Sequence, residues 1–122
     1  MKRKNAKIII KSVSEIKKEW KEALKGKKRG SQKDNELIFT GLETAAKVFT
    51  KNRIEVLKVI ISEQPKSIYE ISKIVKRDFK NVHSDVKFLA EIGLIELKES
   101  GDPRGGLIPV AIFSGIELDL AA

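Results

Sequence analysis

Apolar side chains recur along this chain at helical spacing in some segments and in short β-branched runs in others. Val13, Ile16, Trp20, Ala23 and Leu24 fall three and four residues apart, which predicts one stripe of an amphipathic helix ending near Gly26. Ser12-Val-Ser-Glu15 precedes the stripe with capping-box spacing: the Ser hydroxyl can accept from a first-turn amide while the Glu reaches back. Leu42, Ala45, Ala46 and Phe49 predict a short second helix with those residues on one side. Thr50 is placed to cap a third over 51–63, whose Ile54, Val56, Leu57, Val59, Ile60 and Ile61 occupy so wide a surface that the helix is expected to be central. Gln64-Pro65 stops it. Ser67-Ile-Tyr-Glu70 is another capping box, opening a helix to about Val75 with Ile68, Ile71 and Val75 inward. Lys76-Arg77 then forms a turn. Asp78 is placed to cap a helix running to Ile92, and Gly93 suits the left-handed position after it.

The strand candidates are Lys7–Lys11, Glu36–Thr40, Leu94–Leu97, Leu107–Phe113 and Ile116–Leu120. Pro109 marks the fourth as an edge strand, because proline cannot donate to a ladder. Lys98–Gly106 reads as a loop. The predicted class is mainly α with a small β-sheet, α+β. The polar, Gly-punctuated stretch 26–35 reads as a linker. It divides the chain into a basic strand–helix extension with linker, 1–33, and a second domain, 34–122.

Helix 79–92 carries the chemistry. Projected at about 100° per residue, Phe79, Val82, Val86, Leu89 and Ala90 gather on one side. Lys80 and Ser84 lie nearly opposite, flanked by Asn81 and Lys87. All four can donate to phosphates, and Asn and Lys can also pair with base edges.

Charge sharpens this. The chain has 25 Lys+Arg against 17 Asp+Glu, a formal net of +8, which points to an anionic partner, nucleic acid first. The surplus is N-terminal: residues 1–33 hold 13 basic and 3 acidic side chains, whereas residues 34–122 hold 12 and 14. Within the latter, residues 66–90 hold six basic and three acidic side chains, a local net of +3 on the candidate element.

Composition then removes several classes. The 122 residues, 41% hydrophobic, suffice for one modest core. No apolar run approaches the roughly 20 residues of a membrane span, and no signal peptide is recognisable, so no membrane association is expected. Cysteine is absent, which excludes disulfides and thiolate catalysis and is compatible with a cytoplasmic location. A single histidine, His83, excludes multi-histidine metal sites. His83-Ser84-Asp85 is not a triad, since consecutive helical residues diverge by about 100°. Gly26-Lys-Lys-Arg-Gly30 lacks the spacing and closing Lys-Ser/Thr of a phosphate-binding loop. No catalytic residue, metal or cofactor is expected, and the chain is not read as an enzyme.

Helix, helix, tight turn, helix, strand, loop, strand is the order of a winged helix-turn-helix. The words Ser67-Ile-Tyr-Glu-Ile-Ser, Arg77-Asp-Phe-Lys-Asn-Val-His-Ser-Asp-Val86 and Leu89-Ala-Glu-Ile-Gly-Leu-Ile-Glu96, with Phe49-Thr50-x-x-Arg53, resemble winged helix-turn-helix regulators of the MarR-like kind from archaea and bacteria. The resemblance spans about residues 36–120. Phe88 departs from it, standing where a small or aliphatic residue is commoner, as does the short acidic wing. The resemblance implies sequence-specific binding of double-stranded DNA as a homodimeric transcription regulator, a repressor in the leading reading. Some members of the family pair with a toxin as antitoxins. That supplies the alternative: a protein-interaction module that neutralises a toxin partner and autoregulates.

On this reading helix 78–92 enters the major groove with Lys80, Asn81, Ser84 and Lys87, while Ser67, Lys76 and Arg77 hold phosphates. The alternative for Arg77 is an ion pair with Asp78 or Asp85. Arg104, in Gly101-Asp-Pro-Arg-Gly-Gly106, is either a minor-groove contact from the wing tip or an ordinary turn residue. Ile16, Trp20 and Leu24 are a packing stripe, or a dimer interface if their helix leaves them uncovered.

Overall fold

The computed structural model describes residues 4–24, 34–101 and 106–120. Among these the element order is β1 (Ala6–Lys11), α1 (Val13–Leu24), β2 (Glu36–Thr40), α2 (Leu42–Val48), α3 (Lys51–Glu63), α4 (Ile68–Val75), α5 (Phe79–Glu91), β3 (Ile95–Glu99), β4 (Leu107–Ala111) and β5 (Ile116–Asp119). The fold is α+β. Most of the predicted linker, residues 26–33, and Arg104 in the wing loop lie outside the described residues.

The chain forms two compact units: Phe49–Gly115 together with its first residues through Lys4, and Asn5–Val48 together with Ile116–Ala122. The boundary thus falls after α2 rather than in the linker at 33. The last strand belongs with the elements of Asn5–Val48, whereas the sequence pattern joins it to the wing that precedes it.

In the second of these units β1 is the middle strand of a parallel sheet ordered β2-β1-β5. Its residues alternate: Ala6, Ile8 and Ile10 are buried, while Lys7, Ile9 and Lys11 are half-covered. Parallel neighbours need a crossover, and the segment containing α1 provides it between β1 and β2. Ser12 Oγ accepts from the Glu15 amide at 3.2 Å, the first half of the expected capping box. Lys11 Nζ donates to Glu19 Oε1 at 2.6 Å, and Lys7 Nζ stands 3.6 Å from Asp119 Oδ2. In α2 only Ala45 is buried; Leu42 and Ala46 are exposed, so the expected four-residue side is narrower.

The unit Phe49–Gly115 has a continuous core of Val56, Leu57 and Ile60 from α3, Ile68 and Ile71 from α4, Val82, Val86 and Leu89 from α5, then Leu94, Ile95 and Ala111. Helices α3, α4 and α5 each pack against the other two, β4 lies against α3 and α4, and β3 meets α5. This gives α3 the central place its apolar surface requires. Thr50 caps it, accepting from the Arg53 amide at 3.3 Å. Strands β3 and β4 form an antiparallel pair, with Leu97 opposite Pro109. In a two-stranded ladder both strands are edges, which is where proline is tolerated. The Ser100 amide donates to the Gly106 carbonyl at 3.3 Å and closes the connecting loop. Among the described residues no helix is long and apolar enough to cross a membrane.

Candidate nucleic-acid interface

The site is built on α4, a tight turn and α5. Ser67 holds the start of α4, its Oγ accepting from the Glu70 amide at 3.0 Å. Glu70 reaches back, though to the Lys66 amide at 3.1 Å rather than to that of Ser67. Helix α4 ends where Lys76 adopts a left-handed conformation with φ 56°, and the Arg77 amide donates to the Ser72 carbonyl at 3.1 Å. That left-handed residue turns the chain at once into α5. Asp78 occupies the N-cap position of α5, but its side chain makes no capping bond. At the far end Gly93 has φ +87°. That is the left-handed conformation a side chain would oppose.

Helix α5 is divided as its sequence requires. Val82, Val86 and Leu89 have no measurable exposure, whereas Lys80, Asn81, Ser84 and Lys87 are all exposed. These four span two turns of the helix on the side away from the core. Ala90 is half-covered. Phe79, expected inward, is 45% exposed, because it opens the helix where the core side is not closed over it.

One flank of α5 carries an ionic cluster. Arg77 Nη2 donates to Asp85 Oδ2 at 2.9 Å, and Arg53 Nε from α3 stands 3.6 Å from Asp85 Oδ1. The Arg53 guanidinium also covers the Phe88 ring at 3.9 Å from its centroid. Arg77, for which the sequence offers phosphate and Asp85 as alternative partners, is therefore drawn to Asp85. That carboxylate is shared between guanidiniums from two different segments, and it ties the turn before α5 to the first turn of α3.

The other flank is aromatic. Tyr69 of α4, 56% exposed, has its ring centroid 6.3 Å from that of Phe79, which in turn lies 5.7 Å from His83. Lys73 Nζ sits over the Tyr69 ring at 4.9 Å. Sequence reasoning misses this group, because Tyr69 and Phe79 sit on different helices and only the turn between them brings their rings together.

Of the other predicted residues, Ser67 is half-buried at the start of α4 and Lys76 is exposed in the turn. Ile16 is half-buried, while Trp20 and Leu24 of α1 are 60% and 86% exposed. Among the described residues no group of three or more His, Asp or Glu side chains is arranged to hold a metal ion.

The model of the HVO_A0114 family matches residues 48–118. The chain belongs to the HVO_A0114 family. The matched segment contains the whole run Phe49–Gly115, so the HVO_A0114 match takes in every element of the site just described. Neither a curated protein nor a solved structure matches the chain.

Proposed function

We propose that this HVO_A0114 protein is a sequence-specific double-stranded DNA-binding regulator with a winged helix-turn-helix of the MarR-like kind, in which α5 lies in the major groove and β3–β4 form the wing. The observation that carries the reading is the two-sidedness of α5: four donor side chains, Lys80, Asn81, Ser84 and Lys87, exposed together on a helix that buries Val82, Val86 and Leu89 on its opposite side. A helix about 12 Å across fits the major groove only if a rigid support holds its back, and α3 and α4 supply that support. Asn81 and Lys80 offer base-edge pairing; Ser84 and Lys87 follow on the next turns. Ser67 at the start of α4 and Lys76 in the turn flank the groove as phosphate ligands. Arg77 acts chiefly through Asp85, fixing the angle between turn and helix.

A regulator of this form works as a two-fold dimer, and the stripe of exposed Trp20 and Leu24 with half-buried Ile16 is the surface proposed to pair two copies. The operator is then a rough palindrome with half-sites about one helical turn, or a multiple, apart. Repression is the expected mode, and no catalysis is assigned to the protein. The same stripe favours a second reading, in which it receives a toxin that the protein neutralises. Selection from a randomised duplex library tests the main proposal. The expected result is one recurrent, roughly palindromic motif, bound with an affinity that falls steeply as salt rises. Recovery of unrelated sequences bound alike would contradict it.

A further inference from the structure

The aromatic flank of α5 has no part in the phosphate and base contacts just assigned, yet its exposure is hard to account for in a protein surface so rich in charge. Tyr69 and Phe79 are about half exposed, His83 is half-covered, and each ring leans on the next. Mutual support across two helices keeps these side chains in place before any ligand arrives, so little order remains to be imposed on binding. The ledge adjoins the exposed donor face: Phe79 immediately precedes Lys80 and lies one turn before His83 on α5, while Tyr69 stands in the first turn of α4, two residues from Ser67.

If α5 faces a polyanion through Lys80, Asn81, Ser84 and Lys87, the apolar ledge beside them is suited to an apolar part of that polyanion. In the major groove, base edges otherwise offer hydrogen-bond donors and acceptors, and the apolar group among them is the 5-methyl of thymine. We propose that the Tyr69–Phe79–His83 ledge receives a thymine methyl group, with Phe79 as the contact, at the margin of the site that α5 reads. This rests on the proposed DNA reading and extends it to a base preference: thymine at the half-site position next to that of Lys80 and Asn81. The Lys73 ammonium over Tyr69 holds the outer ring and keeps positive charge on the phosphate side of the ledge.

The test uses the full chain and the duplex recovered from the randomised library, resynthesised with deoxyuridine replacing each thymine in turn. That exchange removes one methyl group and leaves the hydrogen-bonding edge unchanged. Wild-type protein is expected to lose about fourfold in affinity at one thymine per half-site, the worth of one buried carbon. Phe79→Ala is expected to bind thymine and deoxyuridine duplexes alike, which ties the methyl to that ring. Wild type indifferent to every replacement, a selected motif without thymine, or Phe79→Ala that still discriminates would each overturn the proposal. Should Phe79→Ala fold poorly by circular dichroism, the wild-type comparison and Phe79→Leu decide the matter. Failure of the underlying reading looks different: no preferred duplex would emerge, and Lys80→Ala with Asn81→Ala would change nothing.

Discussion

The Arg53 guanidinium lies over the ring of Phe88, 3.9 Å from its centroid, and so joins the first turn of α3 to the last turns of α5. Phe88 is one of two places at which the sequence departs from the MarR-like pattern it resembles, and the contact supplies a physical use for the larger side chain. A planar cation stacked on an aromatic face gains roughly 0.5–1 kcal/mol at an exposed site and more when desolvated. Phe88→Leu should therefore lower stability by about 1 kcal/mol in denaturant unfolding. It should leave the preferred DNA sequence unchanged, because Phe88 is not among the exposed donors. A change in base preference with no loss of stability would contradict this assignment.

Asp85 stands within salt-bridge distance of both Arg53 and Arg77. Asp85→Ala leaves two guanidiniums close together with their shared counter-charge gone. Fully buried pairs lose about 3–5 kcal/mol on such a change and exposed pairs nearly nothing. These side chains are mostly covered, at 15–25% exposure, so about 2 kcal/mol is expected. Asp85→Asn should recover part of the loss by keeping a hydrogen-bond acceptor for Arg77. Thermal unfolding of the two variants beside wild type reads this directly; equal stability of all three would remove the cluster from the account.

Much of this framework is legible in the chain itself, and the reasons are local. Thr50 and Ser67 accept from amides three residues on, Gly93 takes a positive φ, and the apolar period of α5 puts 82, 86 and 89 inside and 80, 81, 84 and 87 outside. What the pattern does not carry are partnerships between distant segments. Nothing near Ile116 shows that β5 pairs in parallel with β1, more than a hundred residues earlier, and a short alternating run fits a wing as well as it fits another sheet. The Arg53–Phe88–Asp85–Arg77 cluster and the Tyr69–Phe79 pair likewise join different helices. Periodicity places Phe79 inside because it treats every turn of a helix alike, whereas a first turn has fewer neighbours to cover it.

Single exposed apolar residues seldom need explaining, but Trp20 and Leu24 on α1 form an apolar stripe together with Val13. Trp20→Ala combined with Leu24→Ala should convert a dimer to a monomer in sedimentation and should weaken DNA binding by losing the second half-site. A double variant that remains dimeric assigns the stripe elsewhere. A wild-type protein that is monomeric alone but captures a toxin encoded nearby through this stripe favours the second reading.

The N-terminal surplus of charge has a separate expected role. Deleting residues 1–33 would remove β1, the middle strand of its sheet, so truncation tests folding as well as charge. Replacing the exposed Lys17, Lys18 and Lys21 by Gln is cleaner. Affinity should fall, and the slope of log K against log salt should become shallower by about 0.9 for each phosphate no longer neutralised. The selected motif should stay the same, since phosphate contacts contribute affinity without reading bases.

Lys80 and Asn81, on the exposed side of α5, are proposed to read the DNA. The most direct measurement is a titration of wild type and of the Lys80→Ala, Asn81→Ala double variant against the selected duplex and against a scrambled duplex of the same composition. The double variant is expected to keep its fold and its weak, salt-sensitive binding but no longer to distinguish the two duplexes. A double variant that prefers the selected duplex as strongly as wild type would contradict it.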